Sequence, residues 1–206
     1  MPSVYDLKAR FQALLRPLVG GMARAGVRPN HLTLGALVGS AAAGGLVLLA
    51  ARRPLWLLVL PVWLFVRMAL NALDGMLARE HAMVTPLGGA LNEMGDVLSD
   101  LALYLPLAAV RPDAAAAAVA FGFGAVLTEM SGVLGQALGA RRHYEGPMGK
   151  SDRALLVGLL AVLAVVWPRS LEGWGWVLGA AAVLSVLTCW NRLRAALAEL
   201  AAGEKP

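Results

Sequence analysis

Two amides and three carboxylates recur at helical spacing between residues 71 and 100 of an otherwise apolar chain. Arg67, Asn71, Asp74 and Ala78 fall at i, i+4, i+7 and i+11, which sets them along one helical face. Gly88, Asn92, Asp96 and Asp100 recur every four residues and share a second face. If the two segments form an antiparallel helix pair joined by a short loop, Asn71 and Asp74, just before Arg79, meet Asn92 and Asp96, just after Pro86. Converging hard oxygens suit magnesium or manganese, which keep some water and share ligands with a phosphate-bearing substrate. Gly75, Ala78, Gly88 and Gly89 leave room for a flat, bulky ligand near the backbone, and Arg79 can meet its phosphates. A plainer reading stands beside this one: the acids pair with Arg67 and Arg79 as a structural clamp.

The elements that must position these groups belong to a membrane. The 206 residues are 59% hydrophobic and only 15% charged, with a mean hydropathy of +0.67, where a soluble domain carries about 25% charged residues. At membrane depth each ionisable group costs roughly 2.5–3.5 kcal/mol, so a cluster requires pairing, water or a bound cation. The net charge of +5 would suit nucleic acid in a soluble protein, but here the basic residues punctuate apolar segments and act as topology signals, so no nucleic-acid partner is expected. The single Cys189 excludes an internal disulfide and is read as inert packing. No cleavable signal peptide is expected, because the N-terminal segment is amphipathic rather than continuously apolar.

Residues 5–25 place Leu7, Phe11, Leu14, Leu15 and Leu18 at helical spacing among Lys8, Arg10, Arg16 and Arg24, which describes a helix lying in the membrane interface. Pro29 breaks it, and Asn30 can cap the next helix. Six spans follow within residues 32–194, at about 32–51, 55–79, 86–110, 114–140, 154–167 and 174–190. Trp167, Trp174, Trp176 and Trp190 fall at interfacial heights. Thirteen basic residues, among them Lys8, Arg10, Arg79, Arg141, Arg142, Lys150, Arg153 and Lys205, fall on one side; only Arg52, Arg53, Arg111 and Arg169 fall on the other. Both termini are therefore predicted to be cytoplasmic. The fold class is all-α integral membrane, one domain over residues 1–206: an interfacial helix and six transmembrane helices.

The 71–96 segment resembles the signature of the CDP-alcohol phosphatidyltransferase family, Asp-x2-Asp-Gly-x2-Ala-Arg-x8-Gly-x3-Asp-x3-Asp, without a gap. Asn71 stands at the first aspartate, Asp74 and Gly75 at the second aspartate and its glycine, Ala78 and Arg79 at the Ala-Arg, Gly88 at the later glycine, Asn92 at the third aspartate and Asp96 at the fourth. The Val-x-Pro-Asn-x-Leu-Thr entry to the first span, the interfacial helix and the six spans are similar to the family as well. The resemblance implies transfer of a phosphatidyl group from CDP-diacylglycerol to a polar alcohol, neutral or anionic, with release of CMP. It implies Asp96 as general base and metal ligand, Asp74 as a ligand of one or two Mg or Mn ions, and Gly75, Ala78, Arg79 and Gly88 with Asp74 as the nucleotide wall. It also implies a homodimer in a bacterial inner membrane, with the site facing the cytoplasm.

The chain departs from the pattern at Asn71 and Asn92. Their amide oxygens still coordinate a cation, but less strongly than the aspartates they replace, so metal affinity falls or one ion is lost. Glu93 points about 100° from Asn92 and cannot simply substitute. Asp100, one turn deeper, and Glu129 are the acids that could restore a charge. Loss of turnover in a CDP-lipid-binding protein, or a membrane transporter, are the alternatives. The loop from Arg141 to Arg153 carries Arg141, Arg142, Lys150 and Arg153 around Gly-Pro-Met-Gly. They serve either as positive-inside anchors or as the acceptor-binding groups that similar family loops supply.

Overall fold

The structure, a computed structural model, describes the backbone of residues 4–203 and the side chains of residues 11–203. The side chains of Leu7, Lys8, Arg10 and Lys205, on which the interfacial-helix and charge readings drew, lie outside the described residues. The helices are α1 (Val4–Arg24), α2 (Pro29–Val47), α3 (Val59–Glu80), α4 (Pro86–Tyr104), α5 (Leu107–Val110), α6 (Ala115–Ala137), α7 (Lys150–Val166) and α8 (Trp174–Gly203), linked by short 3-10 turns. The described residues contain no strand.

The amphipathic α1 packs on the end of α3: Leu15 and Val19 are buried with Leu32, Leu73, Met76 and Leu77, and Phe11 meets Phe65 edge-on at 6.0 Å. Its other face leaves Leu14 and Leu18 exposed, as a helix embedded in an interface requires. The main core lies deeper, where Val47, Leu57, Leu60, Leu103, Phe121 and Leu178 are buried, with Tyr104 and Phe121 stacked at 5.0 Å. Close approach of α2 to α4 depends on Gly44, where a Cβ would lie 1.9 Å from the Ala102 carbonyl oxygen.

Among the described residues, four segments are long and apolar enough to cross a membrane: Pro29–Ala51, Pro54–Glu80, Pro112–Ala137 and Pro168–Gly203. The other two expected spans miss that standard for physical reasons: α4 carries Glu93, Asp96 and Asp100 on its faces, and α7 has only 17 residues. Further differences from the sequence reading have local causes. Pro29 occupies the first helical position of α2, where a missing N–H costs nothing, so Arg28 rather than Asn30 takes the N-cap. The segment 86–110 breaks after Tyr104, ahead of Pro106, into α4 and α5. Helix α8 runs thirteen residues past Trp190, to Gly203, because Arg192 and Ala196 continue its buried face. Trp174 is buried in the core at 1% exposure, whereas Trp167, Trp176 and Trp190 are exposed as interfacial residues should be.

Candidate active site

The C-terminal half of α3 and the N-terminal half of α4 both pack against α2 and meet through their polar side chains, which line a cleft of about 770 Å³. Thr85 starts α4 by accepting a hydrogen bond from the Gly88 N–H at 3.0 Å, with Pro86 in the first turn. That start fixes the register that turns Asn92 and Asp96 toward α3. The amides and acids then pair crosswise. Asn71 Nδ2 donates to Asp96 Oδ1 at 3.0 Å, and Asn92 Nδ2 donates to Asp74 Oδ2 at 3.3 Å. Thr33, from the first turn and a half of α2, also donates to Asp74 Oδ2, at 3.0 Å.

Asp96 is held on one oxygen by three groups: Arg67 Nη2 at 3.3 Å, Asn71, and Lys150 Nζ at 2.5 Å. The side-chain hydrogen bonds on Asp74 likewise fall on Oδ2 alone. Each carboxylate therefore keeps its second oxygen for a ligand.

The floor of the cleft is a buried ion network. Asp100, 2% exposed, accepts from Arg67 Nη1 at 2.5 Å and from Arg153 Nη2 at 2.9 Å. Arg153 also reaches Glu129 Oε1 at 2.9 Å, Thr128 Oγ1 at 2.6 Å and the Met148 carbonyl at 3.0 Å. Every hydrogen on its two terminal nitrogens is thus engaged, one of them on the cleft-lining Glu129. Asp100 lies beneath the metal-type oxygens as a clamp between two guanidiniums, and Arg153 supports it; neither is among the groups that line the cleft. Part of the plainer clamp reading therefore describes Arg67, while Arg79 is not paired with these acids: its guanidinium folds back over Gly75, 3.1 Å from where a Cβ would stand.

Of the loop's basic residues, Lys150 and Arg142 reach the cleft and Arg141 does not. Arg142 pairs with Glu93 and, at 3.2 Å, with Glu129, and lies over the Tyr144 ring at 5.4 Å. Arg141 is exposed, 3.4 Å from Glu199 on the protruding end of α8. Arg192, from the same helix, enters the cleft wall buried, bonded to the Thr128 carbonyl and 3.9 Å from Glu129. The loop's fold needs Gly146: its φ is +135°, and a Cβ would come within 2.4 Å of Thr188. Outside the cleft, His143 lies between Glu145 (3.1 Å) and Glu199 (2.8 Å). Its hydrogen bonds to Glu145 and then Glu199 raise its pKa above the ordinary histidine value; His143 in turn lowers Glu145, while the Arg141 backbone N–H first, and then His143, lower Glu199.

Asn71, Asp74, Asn92 and Asp96 are thus brought together, with Gly75, Ala78, Arg79 and Gly88 along the same cleft. Sequence reasoning missed Asn30, Thr33, Glu93 and Arg192 as lining residues. Thr33 had a readable signal, since it follows Pro29 by one helical turn and so faces the same way into the site. Arg192 had none, because a basic residue ending an apolar run reads as a topology signal. Counting lining and floor together, Asp74, Glu93, Asp96, Asp100, Glu129 and Asp152 are matched by Arg67, Arg79, Arg142, Lys150, Arg153 and Arg192.

The donor set fits a divalent cation: two hard carboxylates with one oxygen each in reserve and two amides alongside, as a site that shares its ion with a phosphate ligand would have. No group of three His, Cys, Asp or Glu side chains converges among the described residues, so the protein supplies fewer charges than an all-acidic cage.

Fold and cleft define an all-helical integral membrane protein with a polar cleft of paired amides and acids between two of its helices. The chain belongs to the CDP-alcohol phosphatidyltransferase family, whose profile matches residues 27–190, and is an enzyme of that class. It is 44% identical to the inner membrane protein YnbA of Escherichia coli K12 over 195 residues, 95% of this chain and 96% of that protein. It is 30% identical to the archaetidylinositol phosphate synthase of Aeropyrum pernix, over 77% of this chain and 78% of that one. The crystal structure of Mycobacterium tuberculosis phosphatidylinositol phosphate synthase with CDP-DAG bound superposes with a TM-score of 0.75 over 89% of this chain and 94% of that chain, at 22% identity, and so shares its fold.

Proposed function

We propose that this enzyme transfers a phosphatidyl group from CDP-diacylglycerol to the hydroxyl of a polar alcohol, releasing CMP. The observation that carries this reading is the crossed pairing of Asn71 with Asp96 and of Asn92 with Asp74 across α3 and α4, each acid with one oxygen uncommitted, in a cleft that also holds Arg79. The similar synthase crystallised with CDP-DAG supports the choice of donor, and its manganese and citrate complex supports the choice of cation.

In this reading Asp96 accepts the proton of the acceptor hydroxyl, the hydroxyl oxygen bonds to the β-phosphorus, and the phosphorus–oxygen bond to CMP breaks. Arg67, Asn71 and Lys150 fix one Asp96 oxygen and leave the other for that proton. Asp74, Asp96 and the Asn71 and Asn92 amide oxygens would hold the Mg or Mn. When bound, that cation offsets pyrophosphate charge and stabilises the leaving CMP. Thr33 orients Asp74, while Gly75, Ala78, Gly88 and Asn30 form the nucleotide wall and Arg79 swings from Gly75 to the pyrophosphate. Lys150, Arg142 and Arg192 bound the acceptor side. Arg141 and Arg153 act there only indirectly, the first through the loop and α8, the second through the floor. The remaining α4 and α7 complete six spans, with both termini and the cleft on the cytoplasmic side of a bacterial inner membrane, and the chain forms a homodimer.

The paired amides favour a second reading, binding of CDP-lipid without turnover. Purified protein given CDP-diacylglycerol, Mn and a panel of alcohols separates the two. Acceptor-dependent CMP and a new phospholipid support transfer; CDP-lipid binding with no CMP from any acceptor supports the second reading and ends the first.

A further inference from the structure

We infer that the alcohol this site accepts is an uncharged polyol and not a phosphorylated one. The inference rests on the transferase reading and deepens it. At the acceptor end, three bases and four acids, Asp152 among them, face the cleft, and each base already has an acid beside it. Lys150 lies 2.5 Å from Asp96, Arg142 is bonded to Glu93 and Glu129, and Arg192 lies 3.9 Å from Glu129. The floor adds no surplus to the whole, since acids and bases of lining and floor balance.

The donor's pyrophosphate is met at Arg79 and at the ligands Asp74 and Asp96 would offer a cation, and it adds no base to the acceptor end. A phosphomonoester acceptor then brings about −1.5 to −2 further charges to a place where Arg142 and Arg192 each already face a carboxylate. To pair with it, Arg142 would have to leave Glu93, whose charge has no other partner among the described residues, beside the incoming phosphate. Like-charge juxtaposition of this kind suppresses a wrong partner more strongly than a new contact favours it. A polyol meets no such conflict. The Glu93 and Glu129 oxygens and the guanidinium edges offer acceptors and donors for its hydroxyls, and Tyr144, seated against Arg142, supplies a further hydroxyl at the rim. Glu93 is the specificity-determining residue in this arrangement, since it takes the outward side of Arg142.

The test compares kcat/KM of the purified enzyme, with CDP-diacylglycerol and Mn, for glycerol and myo-inositol against sn-glycerol 3-phosphate and myo-inositol 1-phosphate. The uncharged members should exceed their phosphates by about tenfold or more, a ratio that one uncompensated charge at an effective dielectric of about 20 is ample to impose. In Glu93→Gln, which frees Arg142, the phosphate-to-polyol ratio should rise about tenfold. The wild-type comparison decides the matter even if the variant folds poorly. A phosphomonoester used as well as its parent polyol overturns this inference and leaves the transferase reading standing; no CMP with any acceptor or metal overturns both.

Discussion

Replacing Asp100 by asparagine should damage the fold and leave metal binding nearly intact. Asp100 is 2% exposed and takes one bond from each of two guanidiniums, at 2.5 Å from Arg67 and 2.9 Å from Arg153, whose side chains are 4% and 0% exposed. The amide keeps the shape but removes the only charge that both arginines share. Breaking a buried ion pair from one side costs about 3–5 kcal/mol, and here two desolvated guanidiniums are left with only Asp96 and Glu129 between them. In a chain of this size each kcal/mol lowers the unfolding midpoint by about 2–4 °C, which puts the expected drop at about 6–20 °C. Tryptophan fluorescence on heating in detergent reads that midpoint, and Mn titration of the same sample reads the site. If the midpoint holds while Mn affinity falls tenfold or more, Asp100 is a metal ligand and the clamp argument is wrong.

Asn71→Asp with Asn92→Asp should tighten Mn binding at least about tenfold, since two anionic oxygens replace neutral ones; unchanged affinity by titration would remove both residues from the metal shell. Thr33→Val deletes a donor to the Asp74 carboxylate, a bond worth about 1.5–3 kcal/mol. The KM for CDP-diacylglycerol should therefore rise about tenfold or more, and an unaltered KM would make Thr33 a packing residue. His143 supplies a pH dependence. Its pKa is raised in the fold, so its contribution to stability is complete below the unfolded value of about 6.5 and is lost as pH rises through the folded value. The lowered Glu145 and Glu199 contribute above their unfolded value of about 4.3 and lose that as pH falls through their folded values. Thermal stability should accordingly decline from pH 6.5 upward in the native chain and less steeply in His143→Gln; parallel curves would contradict the assignment.

Periodicity alone set Asn71 and Asp74 opposite Asn92 and Asp96, because side chains four residues apart share a helical face whatever surrounds them. What it could not reach were the partners that come from distant elements. Lys150 on Asp96 is 54 positions away in sequence, and Arg153 on Asp100 is 53. Both read as loop cations until α7 was packed beside α3. The same limit applied to Asp100, whose register matches Asp96 but whose depth, between Arg67 and Arg153, gives it a different task. Span ends were legible where proline dictates them, at Pro29, Pro54, Pro86 and Pro112, and illegible at α8, where nothing in the apolar-to-polar change at Trp190 interrupts the helix.

The central claim concerns Asp96 and is open to one comparison: acceptor-dependent CMP release from CDP-diacylglycerol by wild type and Asp96→Asn, both purified and both shown to bind the CDP-lipid. General-base catalysis contributes about 100- to 10,000-fold, so the variant should bind the donor yet lose at least about 100-fold in rate. CMP release at the wild-type rate from Asp96→Asn would contradict the account.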